Sequence, residues 1–313
     1  MSSIQTIQYQ NFSWIDIHCG NEKGKGIKYL EKNFNFHPLD IEDCIAITHR
    51  AKCDQYEHYS FLILLFPIYD KRTREIITAE IDFFIGKDYL VTVHRDSNLK
   101  SFIEFFKRCQ KNELEKEKFL SLPPEKLLYE IINRLYKNCS PMLDHISADI
   151  DHIEKQIFAG HEKEMVQEIS IIRRNITDFR KIMQAHKNVI KKLTYSLQES
   201  PLFAIQKTDA YYNNLLDHTK EIWDALENFK ERIEALQETN ESLIKFQLND
   251  IMKILTIISV ITFPVTLIAA IFGMNTTNSM PFINNRYGFL IIIGIMISIA
   301  GFMLAHFKRK NWM

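Results

Sequence analysis

At 313 residues the chain is long enough for more than one domain, and its 39 lysines and arginines are matched by 39 aspartates and glutamates. That zero balance gives no reason to expect nucleic acid as a partner, which usually demands a basic surplus. The five cysteines (Cys19, Cys44, Cys53, Cys109 and Cys139) are odd in number and show no CxxC spacing, so reduced thiols are expected rather than a disulfide framework or a structural zinc site.

The first ten residues are polar and carry no apolar core of a signal peptide, which places the soluble part of the chain on the cytoplasmic side. The N-terminal third reads as α/β. Phe12 to Ile17, Phe61 to Tyr69, Ile81 to Ile85 and Tyr89 to His94 are β-branched or aromatic runs of strand length. Helical patterns lie between them, at Pro38 to Ile47 and at Ser97 to Cys109, with Ser97 as the expected N-cap. The glycine-lysine segment from Gly20 to Gly26 lacks the GK[ST] ending of a phosphate-binding loop and is expected to be a surface turn. No nucleophile–base set or catalytic metal motif points to an enzyme. Isolated histidines such as His145 and His186 are expected on the surface.

From Pro123 the sequence becomes long, charged and helical, with interruptions near Gly160 and near Ser200-Pro201. Three helices are predicted, over about 123–158, 162–198 and 204–273. The third carries an apolar stripe with a beat of about 3.5 residues through Tyr211, Leu215, Ile222, Phe229, Ile233, Leu236 and Leu243. Neither proline nor glycine stops it before a long apolar run, so it is predicted to continue into the membrane as a rod of roughly 100 Å.

Ile254 to Phe272 and Tyr287 to Phe307 are uncharged stretches of 19 and 21 residues, and about 20 apolar residues in a helix cross the hydrocarbon core. Lys245 and Lys253 precede the first run, Lys308-Arg309-Lys310 follows the second, and the loop between them has one basic residue. The positive-inside rule then puts both termini in the cytoplasm and the short loop outside; the expected location is the cell (inner) membrane. The expected organisation is a cytoplasmic α/β domain (1–120), a helical hairpin (121–200), a long helix (201–275) containing the first span (about 254–273), an external loop (276–286), a second span (287–307) and a basic tail (308–313).

On the first span, Asn249, Met252, Thr256, Ser259, Phe263, Thr266 and Ala270 share one face. By periodicity alone that face can line a pore or glue helices together through its hydroxyls. Asn275 favours a pore, because a neutral carboxamide at the outer mouth can face water or a hydrated ion. Several copies are then needed to surround an axis, in keeping with closed cyclic symmetry. Pro264 frees the carbonyl of Val260, and a ring of Phe263 side chains makes a dry constriction of the kind that gates by dewetting. Gly294, Ser298, Gly301 and Ala305 give the second span a small-residue stripe suited to close helix packing.

These features resemble the CorA magnesium transporters. The resemblance is carried by Gly273-Met274-Asn275 closing the first of two C-terminal spans and by a short loop with Met280-Pro281. It is carried also by Asn249 to Thr256, Phe263-Pro264-Val265-Thr266, the basic tail ending in Trp312, His37 to Asp43 and Tyr69-Asp70. It implies a funnel-shaped homopentameric channel for Mg2+, with Co2+ and Ni2+ also carried, whose selectivity mouth is Gly273, Met274 and Asn275. Asn249, Met252, Leu255, Phe263 and Thr266 would line the pore, with the family's constriction at Leu255. It further implies regulatory Mg2+ held between cytosolic subunits, at Glu238 and near Glu57, where the neighbouring position is His58, a poorer Mg2+ ligand than a carboxylate. The loop lacks the acid that often follows Met-Pro in the family and has Phe282 there. A transporter of another divalent metal such as Zn2+ and a membrane-anchored scaffold are the competing readings; Met274 favours Mg2+ over Zn2+.

Overall fold

The computed structural model describes residues 3–19, 24–46, 50–95, 98–200, 202–203, 209–274, 281–282, 285–310 and 312. The chain forms two compact units, Met1–Gln237 and Glu238–Met313.

The first unit is built on a six-stranded sheet. Its strands are β1 (Ser3–Tyr9), β2 (Phe12–His18), β3 (Lys52–Gln55), β4 (Tyr59–Asp70), β5 (Glu75–Gly86) and β6 (Tyr89–His94), in the order β1-β2-β6-β5-β4-β3. Only β2 and β6 run parallel; the other neighbours are antiparallel. Phe61 to Phe66 on β4 are all buried, as expected of a strand covered on both faces. One face carries α1 (Gly24–Asn33) and α2 (Pro38–Ile45), whose Ile27, Leu30 and Ile41 pack with Ile17, Phe61, Phe84 and Val93. On the other face Trp14 donates its indole N–H to Thr92 at 3.3 Å and packs on α3 (Lys100–Lys111) through Phe102, Phe105 and Phe106.

Four strands coincide with the predicted runs. The two edge strands do not, and the reason is physical. An edge strand has one open side and a half-solvated face, so β1 is mostly polar with Ile7 its buried residue, and β3 is only four residues long. The expected Ser97 cap is replaced: the helix begins at Lys100 behind Leu99, and Ser97 lies outside the described residues. The expected surface turn over Gly20 to Gly26 is also corrected. Residues 20–23 lie outside the described residues, but α1 begins at Gly24 and Gly26 is buried in it. A Cβ on Gly26 would stand 2.5 Å from Cγ2 of Ile17, so glycine is what lets α1 approach β2.

Beyond α4 (Glu113–Leu120), the first two long helices predicted are each divided. The stretch 123–158 forms α5 (Pro124–Lys137) and α6 (Ser140–Phe158). Pro141 in the first turn of α6 has no N–H to give the carbonyl four residues back, which favours the break after Lys137 without requiring it, since α9 runs on through Pro264. The stretch 162–198 forms α7 (Glu162–Met183) and α8 (His186–Glu199). Gln184 keeps helical dihedrals (φ −54°, ψ −41°), so this break is one of hydrogen bonding. His186, expected on the surface, is fully buried between Tyr136 and Leu65. His145 is exposed, as expected. All five cysteines are free and buried.

The last helices are α9 (Asp209–Phe272) and α10 (Gly288–Arg309). Within the first unit Leu215, Ile222 and Ile233 of the apolar stripe are buried, joined by Tyr212 and Leu226. Pro264 sits inside α9, which continues past it for two turns.

Candidate functional site: the exposed face of the first span

Both α9 and α10 contain a stretch long and apolar enough to cross a membrane, and only 6% of each stretch is buried. The core helix of a soluble protein would be mostly buried, so these are surfaces for lipid or for other helices.

At about 100° per residue, Asn249, Met252, Leu255, Thr256, Ser259, Phe263, Thr266, Ala270 and Gly273 fall within an arc of about 120° on α9. All of them are exposed. Phe263 is 74% exposed and Met252 61%, so none of the described residues of one chain covers this face. Two of the three hydroxyls on this face, which also bears Thr266, are held by their own helix: Thr256 donates to the carbonyl of Met252 at 2.7 Å and Ser259 to that of Leu255 at 2.8 Å. Each hydroxyl oxygen thereby keeps its acceptor capacity for water on the open side of the helix. That satisfies the donor within the helix and weakens the need for the hydroxyls as glue between helices.

The opposite side of the same helix is different. Ile257 is the one buried residue of the span, at 6% exposure. With Ile254, Ile258 and Ile261 it forms an apolar wall that faces Leu304 of α10 and Trp312. Leu304 of the second span thus stands over Ile257, on the side turned away from the polar stripe, while Ile254 and Ile258 stay exposed.

At the far end α9 stops at Phe272. Gly273 donates its N–H to Ala269 at 2.9 Å and Met274 donates to Ile271 at 3.3 Å, both exposed just past the last turn. Asn275 and the loop residues 276–280 lie outside the described residues. Phe282 adopts a left-handed φ of 71°, and its carbonyl lies against Gly288, where a Cβ would overlap it.

The family model described as CorA-like Mg2+ transporter protein matches residues 9–309. The chain belongs to this family. It is 28% identical over 303 residues to a cobalt/magnesium transport protein CorA of Thermotoga maritima, covering 96% of this chain and 83% of the relative. A protein of the same description from Methanocaldococcus jannaschii is 23% identical, with 99% and 94% covered. Among solved structures, the complete CorA magnesium transporter of Methanocaldococcus jannaschii superposes with a TM-score of 0.80 at 22% identity, covering 98% of this chain and 94% of that one. The cytoplasmic domain of ZntB from Vibrio parahaemolyticus gives 0.56 at 15% identity, covering 76% and 89%. These two structural likenesses concern the fold alone. Family membership and the two apolar helices make this a membrane protein of a transporter family, not an enzyme.

Of the expected regulatory residues, Glu57 and His58 are the exposed turn between β3 and β4 in the first unit, and Glu238 is exposed on α9 in the second. Among the described residues no group of three or more His, Cys, Asp or Glu side chains is placed to hold a metal ion within one chain. Sequence reasoning missed the acids beside that turn. Asp40 is buried and accepts from Tyr59 at 2.9 Å and Tyr56 at 3.1 Å. Burial pushes its carboxyl above the ordinary range, against the pull of those hydroxyls and Lys52. Lys52 also pairs with Asp43 and, at 3.0 Å, with Asp54. The acids Asp40 and Asp43 stand in the sequence, but their meeting with Lys52 depends on β3, an edge strand that periodicity does not mark.

Proposed function

We propose that the chain is the subunit of a divalent-cation channel that mediates Mg2+ influx, with Co2+ and Ni2+ as further cargo. The observation that carries this reading is the open face of the first span, Asn249 to Gly273, which bears hydroxyls and a carboxamide and turns away from the second span. One such face encloses nothing, so the working form is a homo-oligomer with these faces around one axis. Five copies is the number proposed, with both termini cytoplasmic in the cell inner membrane.

Mg2+ sheds water reluctantly. Gly273, Met274 and Asn275 form the proposed mouth, where a ring of neutral amides hydrogen-bonds the water shell without stripping it. From Ile251 onward there is no aspartate or glutamate. Conduction needs weak sites, and carboxylate rings would hold the ion longer. The membrane potential drives entry, with roughly 4.6 kcal/mol for two charges across 100 mV. Below the mouth, Thr266, Phe263, Ser259, Thr256, Leu255, Met252 and Asn249 line the path.

Gating by cytosolic Mg2+ belongs to the same proposal, with Glu57 and His58 of one copy and Glu238 of another as the sensor. Substituting all three by glutamine is expected to weaken inhibition by internal Mg2+; unchanged inhibition places the sensor elsewhere. The reading as a whole is tested by metal uptake into liposomes holding the purified protein. Mg2+ flux is expected, and Zn2+ flux without Mg2+ flux would sink it. A membrane-anchored scaffold would carry neither.

A further inference from the structure

The groove behind the proposed pore face has its own chemistry. Ile254, Ile257, Ile258, Ile261 and Thr262 of α9, Leu304 of α10 and Trp312 border an open groove of roughly 500 Å3. The tail closes one end of it. Trp312 donates its backbone N–H to the carbonyl of Phe307 at 3.1 Å and stacks its ring on Phe307 with centroids 5.9 Å apart. A tryptophan at the end of a membrane span occupies the headgroup level, where one end is apolar and the other wet.

Three cations stand at the same end. Lys308, Arg309 and Lys310 are exposed, and Lys308 follows Leu304 by one turn on the groove side of α10. No acid follows Asp250 in the chain, and Asp250 pairs with Lys253 at 3.0 Å. The second unit therefore supplies a largely apolar slot and a cluster of cations at its rim with no aspartate or glutamate beside them in sequence.

We propose that this groove binds one acyl chain of an anionic phospholipid, whose headgroup phosphate is held by Lys308, Arg309 and Lys310. The charge complementarity selects the lipid. A zwitterionic lipid fills the slot equally well but brings no net charge to the rim. The proposal needs the spans in a bilayer and does not depend on what the protein transports.

The chain carries its own reporter. It has three tryptophans. Trp14 is buried in the first unit and Trp223 lies on α9 in the same unit, so Trp312 is the one on the membrane unit. The full chain is reconstituted in phosphatidylcholine vesicles containing a small fraction of lipid brominated on its acyl chains, either phosphatidylglycerol or phosphatidylcholine. Brominated phosphatidylglycerol is expected to quench Trp312 at about tenfold lower mole fraction. The triple variant K308Q/R309Q/K310Q should bring the two lipids together. Leu304→Phe, which narrows the slot, should reduce quenching by both. Equal quenching of the unmodified protein overturns the proposal without recourse to any variant. So does a preference that survives in the triple variant, and so does absence of quenching by either lipid, the result expected if a helix of a second copy fills the groove.

Discussion

The ring of His186 donates its Nε2–H to the backbone carbonyl of Leu65 across 2.6 Å, and Tyr136 donates its hydroxyl to the other ring nitrogen at 2.9 Å. Because Leu65 can only accept, this pins the neutral tautomer. Burial lowers the His186 pKa to about 4. A folded-state value below the unfolded one near 6.5 means that the unfolded chain takes up the proton first. The contribution is complete above pH 6.5 and is lost as the pH falls toward 4, by on the order of 3 kcal/mol. Melting of the intact protein in detergent between pH 7.5 and 4.5 checks this. His186→Phe should be less stable at pH 7.5 and lose less on acidification; an unchanged acid slope would contradict the assignment.

Gly26 and Ile17 set the distance between α1 and the sheet. Gly26→Ala places a methyl 2.5 Å from Ile17 Cγ2, and overpacking of this kind costs about 1–3 kcal/mol. Adding Ile17→Leu, which removes Cγ2, should recover part of the loss. Gly24→Ala, whose Cβ meets nothing within 4 Å, is the control. Chemical denaturation of the three variants reads the difference.

At the membrane end the contrast is between two glycines of α10. A Cβ at Gly288 overlaps the Phe282 carbonyl, which belongs to backbone and cannot rotate away, whereas one at Gly294 meets nothing within 4 Å among the described residues. Gly288→Ala should therefore lower the yield of folded protein and Gly294→Ala should not. Thermal stability of the purified variants decides. If Gly294→Ala instead dissociates the oligomer with each chain still folded, the small-residue stripe is a contact between copies.

Flux separates the roles proposed along the first span. Asn275→Ala should abolish Mg2+ uptake and leave assembly intact, and flux that persists unchanged would remove Asn275 from the mouth. Phe263→Ala should raise leak under closing conditions by widening the dry constriction. Thr256→Val keeps the β-branched shape and loses only the hydroxyl that bonds Met252, so the helix should survive while uptake slows. Liposome uptake, with size-exclusion chromatography as the assembly check, measures all three.

The sequence by itself determined the membrane spans, because runs of 19 and 21 uncharged residues have few places to go but lipid. It also determined the family, through motifs at defined places on those spans, and the four inner strands, whose apolar runs follow from burial on both faces. The break before α6 has a local contributor in Pro141, but the same residue type at Pro264 leaves α9 continuous, so the stretch 123–158 reads as one helix from sequence. Tertiary structure alone decided the rest. Gly26 reads as a turn until Ile17 is seen against it, and His186 reads as a surface residue until Leu65 and Tyr136 are found around it. β1 and β3 are polar or short because edges are half solvated, so periodicity does not mark them. The sharing of the first span between an open polar face and an isoleucine wall was half legible. The polar face follows from spacing along one helix, but the groove needs Leu304 and the returning Trp312, which are brought to it only when α10 packs and its tail folds back. Contacts between residues far apart in the chain are set by packing, which local periodicity does not encode.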